Sequence, residues 1–215
     1  MHISEGILTA PVLLSGAGVA LAGTAVGLKS MSQQEVPQVA VLTATFFVAS
    51  LVHVPLGPAS IHLVLNGLLG LILGWACFPA ILVALILQAI FFQYGGLSVL
   101  GVNTLIMALP ALLCFLAFSP LLRSKGNMSA LAGFLTGSLS IFGSAALLAL
   151  CLTVSGEAFI PAAKTLLAAH IPVMLLEGLL TAVIVSFLLR TKPEILQTRV
   201  LPGKPKDKDH DPASE

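Results

Sequence analysis

The chain has 215 residues, is 57% hydrophobic and only 9% charged, against roughly a quarter charged in ordinary soluble domains. Eleven of its nineteen Asp, Glu, Lys and Arg residues lie from Arg190 onward, so residues 1–189 carry only Glu5, Lys29, Glu35, Arg123, Lys125, Glu157, Lys164 and Glu177. Eight charges cannot hold 189 residues in water, which excludes a soluble fold and implies an all-α protein solvated by lipid; a net charge of +1 without a basic patch excludes a nucleic-acid partner.

A crossing helix needs about 20 apolar residues. Residues 7–28 form the first predicted span. Its early charge is Glu5 rather than a basic cluster, so it reads as a retained helix and not a signal peptide. Gly16, Ala20 and Gly23 run along it beside Gly18, Ala22 and Ala25. Such spacing lets backbones approach, either within the chain or against a partner membrane subunit. Further spans are predicted at 38–54, 60–77, 79–94, 102–122, 129–153 and 165–189, with Phe78-Pro79 dividing the third from the fourth. That makes about seven transmembrane helices in a domain over 1–189. A charged tail over 190–215, with Pro202, Pro205 and Pro212, is expected to be disordered. Cys77, Cys114 and Cys151 each sit alone in an apolar run and read as packing residues.

Lys and Arg concentrate on the cytoplasmic side of membrane proteins. With seven crossings, a cytoplasmic tail puts nine Lys and Arg inside and only Lys164 outside. The N-terminus is then outside and the C-terminus cytoplasmic. In that frame His2, His53, His62 and His170 all fall in the outer half, and His210 lies in the tail.

The bulky His2 should protect Met1 from removal. A free Met1 amine, the deprotonated His2 amide nitrogen and the His2 imidazole Nδ1 would close a five- and a six-membered chelate ring. One more imidazole completes a square of nitrogens, a geometry that suits Ni(II) or Cu(II) rather than Zn(II) or Mg(II). His62 is the candidate fourth ligand. It ends the helix-breaking run His53-Val54-Pro55-Leu56-Gly57-Pro58-Ala59-Ser60-Ile61-His62. His53 either orients a ligand through its other ring nitrogen or competes as a ligand; equally, the run is a tight loop at the headgroups.

Gln88 and the glycine-rich stretch Gly95–Asn103 follow on the same side, suited to a loop folding over a site or to a plain connection. His170 and Glu177 are seven apart and share one helical face. An ionisable residue within a span suggests function; for Glu177 the alternatives are pairing in the bundle, subunit binding or a structural hydrogen bond. The sequence holds no nucleotide loop and no nucleophile–base arrangement. The chain is therefore expected not to be an enzyme, and another chain must supply energy for active transport.

Several of these motifs in this order resemble the substrate-binding M subunit (NikM/CbiM type) of energy-coupling-factor nickel and cobalt transporters. They are Met1-His2-Ile3-Ser4-Glu5-Gly6, Pro58-Ala59-Ser60-Ile61-His62, Gly95-Gly96-Leu97 through Gly101 and Asn103, His170-Ile171-Pro172, and Glu177-Gly178-Leu179-Leu180-Thr181-Ala182. The resemblance implies a multi-pass protein of a prokaryotic cell membrane, with Met1, His2 and His62 as metal ligands. His53, Ser60, Gln88 and Asn103 would orient those ligands or line the way in. Gly16 and Ala20 on the first helix would face a transmembrane coupling subunit, with His170 and Glu177 in structural or coupling roles. ATPase subunits would drive release, and no cofactor is implied. His53 and Val54-Pro55-Leu56-Gly57-Pro58 look more like the nickel branch, since the cobalt branch tends toward a glycine-threonine turn and an Asn in place of His53. The transported ion is thus expected to be Ni²⁺, with Co²⁺ as the alternative. A passive channel or an intramembrane enzyme are the readings from other classes; four nitrogens would bind too tightly for fast conduction.

Overall fold

A computed structural model of the protein describes residues 3–51, 53–56, 59–123 and 127–197, with backbone alone at 53–56, 59–62, 123, 127 and 197. The chain order is α1 (Ala10–Ser30), α2 (Val36–Ala49), β1 (His53–Leu56), β2 (Ala59–His62), α3 (Asn66–Leu73), α4 (Cys77–Phe92), α5 (Leu100–Phe118), α6 (Asn127–Ser155), α7 (Ile160–Thr191) and α8 (Glu194–Gln197). The architecture is a helical bundle interrupted by one small antiparallel ribbon, in which His53 pairs with His62 and Leu56 with Ala59.

The bundle is apolar on its outside as well as in its core. Leu14, Leu21, Phe91, Val183 and Phe187 are exposed. Asn66, Gln88, Thr136, Ser140, Ser144, Glu177 and Thr181 are buried. Lipid solvates the first set, while burial of the second calls for partners inside the bundle; Asn66, Ser140, Ser144 and Glu177 have them, whereas the Thr136 and Thr181 hydroxyls have none among the described residues. The protein is a multi-pass membrane protein. Among the described residues, five stretches are long and apolar enough to cross: Ala10–Ser30, Asn66–Phe92, Leu100–Leu122, Met128–Ser155 and Glu157–Thr191.

Three segments depart from the predicted spans. The second, expected over 38–54, is helical only to Ala49, because the chain enters the ribbon at His53. The third, expected over 60–77, is strand to His62 and helix only from Asn66. The pairing of 53–56 with 59–62 explains both: Pro55 and Pro58 forbid continuous helix, and the ribbon recovers backbone hydrogen bonds instead. At the start of the expected tail the chain is still helical: α7 continues to Thr191, and α8 packs Leu196 into the core; the rest of that segment, 198–215, lies outside the described residues.

The apolar stretch Asn66–Phe92 is not one straight rod. α3 lies parallel to α5 at a constant offset. Asn66 bonds Met107, 41 residues on, Gly70 abuts Ala111 and Gly74 abuts Phe115. The Cys77 thiol then meets the Ala108 carbonyl at 3.8 Å, two turns back along α5. The chain therefore reverses at Gly74, whose φ of +52° is one that L side chains rarely adopt. α3 is a buried half-helix of 8 residues, about 12 Å long.

The small-residue row of α1 is consumed within the chain. Gly16, Ala20, Gly23 and Gly27 are its buried residues. A Cβ at Gly16 would stand 2.5 Å from Val102, and one at Gly23 2.5 Å from the Phe78 ring. Gly16 thus seats α1 on α5 and Gly23 seats it on α4, with Ala20 buried on the same face. Gly18, Ala22 and Ala25 form the exposed row.

Candidate metal site

The N-terminal segment is held down by the loop and first turn between α4 and α5. Asn103, buried near the start of α5, makes two bonds to one residue. Its Oδ1 accepts from the Ile3 N–H at 3.0 Å, and its Nδ2 donates to the Ile3 carbonyl at 3.1 Å. An amide side chain is the smallest group that can pair with both backbone atoms of a residue in this way. Ile3 itself is 3% exposed and joins the main core.

A second clamp lies two residues on. The Glu5 carboxylate accepts from the Ser98 N–H at 3.0 Å and from the Ser98 hydroxyl at 3.1 Å. Those bonds, the backbone one foremost, hold the Glu5 carboxyl below the usual carboxylate value. Gly96 makes this contact possible: its φ is +135°, and a Cβ there would overlap the Glu5 side chain. The glycine-rich stretch is therefore a clasp over residues 3–5.

The ribbon is anchored from below by Glu177. Its carboxylate accepts from the Val64 N–H, and from the Leu65 N–H at 3.1 Å through each oxygen. These donors sit just before α3, where helix geometry provides no partner. Leu65 adopts φ +53°, turning the chain from ribbon into helix. α6 and α7 touch at backbone distance around this carboxylate: a Cβ at Gly137 would stand 2.6 Å from the Glu177 carbonyl oxygen.

Asn66 completes the anchor. Its Nδ2 donates to the Met107 carbonyl and to Ser144 Oγ, both at 3.0 Å, and its Oδ1 accepts from Gly67 N–H at 2.9 Å and Ser140 Oγ at 3.1 Å. All four hydrogen-bonding positions of a buried amide are filled. Asn103 and Asn66 thus dock on consecutive turns of α5, through positions 103 and 107. Ile3 and the end of the ribbon are brought to one place, about 6 Å apart along that helix.

The predicted residues fall out as follows. Met1 and His2 lie outside the described residues, immediately before the clamped Ile3. His53 and His62 sit opposite each other at the open end of the ribbon, with Ser60 one register step inward from Ile61; their side chains lie outside the described residues. Gln88 is buried and donates to Ser50 Oγ at the end of α2, while its Oε1 has no hydrogen-bond partner among the described residues. His170 is buried, and its Nδ1 donates to the Leu166 carbonyl at 2.7 Å. It shares the buried face of α7 with Glu177, as the spacing predicts, but the two serve different partners. Among the described residues no three His, Cys, Asp or Glu side chains cluster as metal ligands.

Sequence reasoning missed Asn66 and the Glu5–Ser98 clamp. Asn66 had a signal: a lone amide inside an apolar run demands partners. Glu5 was the only charge in the first 28 residues.

Residues 2–195 match the family described as the cobalt uptake substrate-specific transmembrane region, CbiM. The chain belongs to this CbiM family. A Haemophilus influenzae relative named for metal transport is 42% identical over 199 residues, covering 91% of this chain and 97% of that one. A fused nickel transport protein, NikMN, of Rhodobacter capsulatus is 37% identical over 118 residues, covering 50% of this chain and 33% of that one. A crystal structure of a transition metal transporter superposes with a TM-score of 0.79 at 23% identity, covering 94% of this chain and all of that one, which shows the fold. This CbiM-family chain is a substrate-specific membrane component of cobalt or nickel uptake.

Proposed function

We propose that the chain captures Ni²⁺ in a square-planar nitrogen site and passes it inward with partner subunits driven by ATP. The ligands in this reading are the Met1 amine, the His2 amide nitrogen, the His2 imidazole and the His62 imidazole. The observation that carries it is the convergence on α5. Asn103 fixes Ile3, one residue after His2, and Asn66 fixes the chain four residues after His62, on consecutive turns. A chelate using a backbone nitrogen needs a backbone held still, and the two-point bond to Ile3 supplies that. His53, opposite His62 in the ribbon, orients the site from the neighbouring strand.

Square-planar nitrogen ligation favours d⁸ nickel, with Co²⁺ the alternative cargo. Copper(II) would bind at least as tightly, so selectivity against it rests on availability rather than affinity. The chain acts as a non-catalytic subunit: a transmembrane coupler and ATPases supply the driving force, and the exposed α1 row of Gly18, Ala22 and Ala25 is the surface left for them.

The test is metal binding by purified protein with its native N-terminus, against a variant with one residue inserted between Met1 and His2. Calorimetry and the d–d absorption of square-planar nickel should both be lost on insertion. Binding that persists unchanged removes Met1 and His2 from the site.

A further inference from the structure

Away from the clasp, the other end of the α6–α7 pair carries a concave surface that the capture site does not use. The clasp end is marked by the Thr9 N–H bonding Ser155 Oγ at 3.4 Å, at the last residue of α6. The far end is a groove of about 380 Å³ between the first turn of α6 and the last turns of α7, lined by Ala130, Ala182, Val183, Ser186, Phe187 and Arg190.

The chemistry of its wall is asymmetric. Ala130 and Ala182 are small, and the Ser186 hydroxyl is turned back onto the Ala182 carbonyl at 2.7 Å, so the floor is apolar. Val183 and Phe187 are 58% and 62% exposed and form a greasy rim open to the bilayer. Arg190, one turn beyond Ser186, stands at the mouth, and among the described residues it has no ion pair. The N-terminal end of α6, with its positive helix dipole, lies alongside. The groove is too small for a helix, which is 10–12 Å across. It has room for roughly a dozen methylene-sized groups, taking each as about the 30 Å³ of a water.

We infer that this groove is a binding site for an anionic phospholipid, one acyl chain lying along Ala182 and Ser186 and the headgroup phosphate paired with Arg190. A guanidinium presents parallel N–H donors that match phosphate oxygens, and basic pockets between transmembrane helices at the membrane boundary take anionic headgroups. The inference rests on the membrane placement of the chain alone and is independent of which ion it carries.

The test uses the full-length protein in neutral detergent. Thermal unfolding is followed with added phosphatidylglycerol or phosphatidylcholine of identical chains, and retained lipid is counted by native mass spectrometry. Phosphatidylglycerol should raise the midpoint by about 5 °C more than phosphatidylcholine does, with one lipid retained. Arg190→Gln should abolish that difference without lowering the midpoint in phosphatidylcholine. Ser186→Leu, which fills the groove, should release the retained lipid without lowering the midpoint in phosphatidylcholine. Equal effects of the two lipids on the unaltered protein, an undiminished preference in Arg190→Gln, or a shift from inorganic phosphate as large as that from phosphatidylglycerol would each overturn the assignment.

Discussion

Replacing Asn103 with leucine keeps the branching and heavy-atom count of the side chain and removes both of its bonds to Ile3. The Ile3 N–H and carbonyl then face a buried, apolar wall without partners. Each intramolecular hydrogen bond contributes about 0.5–1.5 kcal/mol, so the segment loses about 1–3 kcal/mol of its hold on α5. The full desolvation cost of both groups is not reached, because residues 3–5 can lift into water and escape it. A chelate built on the adjacent residue must then order that segment at its own expense. Nickel affinity should fall by about 5- to 150-fold, the factor equivalent to that energy. Calorimetry of Asn103→Leu measures the affinity, and hydrogen exchange of the amides from Ile3 to Leu8 measures the hold itself. The rest of the bundle should retain its protection, since the Asn103 side chain bonds nothing else among the described residues. Faster exchange with unchanged nickel affinity would refute the link between clasp and site. Unchanged exchange would refute the clasp.

Three further perturbations test other parts of the frame. Glu177→Ala leaves the Val64 and Leu65 N–H groups buried without acceptors and should destabilise the protein by about 2–6 kcal/mol, read as a lowered unfolding midpoint, with Glu177→Gln intermediate because an amide oxygen still accepts. The Glu5 clamp should be insensitive to pH above the ordinary carboxylate value of 4.5 and loosen only below it. The folded carboxyl is held low, so its contribution is complete above the unfolded value and disappears as pH falls through the folded one; a nitroxide at position 4 should become mobile in acid, and Glu5→Gln should show no such transition. Gly23→Ala places a methyl 2.5 Å from the Phe78 ring and should cost about 1–3 kcal/mol through overpacking; equal stability would mean that α1 is seated less tightly on α4 than its spacing indicates.

Much of this architecture was legible in the residues, because lipid imposes a severe filter. The runs that became α5, α6 and α7 needed only hydropathy, and the resemblance carried in the MHIxEG-like start and the glycine-rich stretch led to the right family. The second and third spans were misjudged where hydropathy is blind. Val54, Leu56 and Ile61 are as apolar as any helix residue, and only Pro55, Gly57 and Pro58 hinted that the backbone would pair as a ribbon. The fate of the small-residue row was equally invisible. Gly16 and Gly23 invite a close neighbour but do not name it; the neighbours they meet, Val102 and Phe78, lie far along the chain. The partner of Glu177 was unreadable for a related reason. It bonds backbone N–H groups, which every residue possesses, so no side chain advertised the contact.

The half-helix has an electrical consequence. Val64 and Leu65 are tied to Glu177, which lies midway along the 32 residues of α7, so α3 begins near the middle of the membrane's depth. Non-helical backbone at that depth must be wrapped in protein or wetted, and here it is wrapped, with Val64 1% and Leu65 6% exposed. The junction therefore lies within the insulating layer rather than at its edge. α3 covers about 12 Å of the roughly 30 Å of a bilayer's hydrocarbon core. In a uniform field, a unit charge moved the length of α3 crosses about two fifths of the membrane potential, about 0.9 kcal/mol per 100 mV.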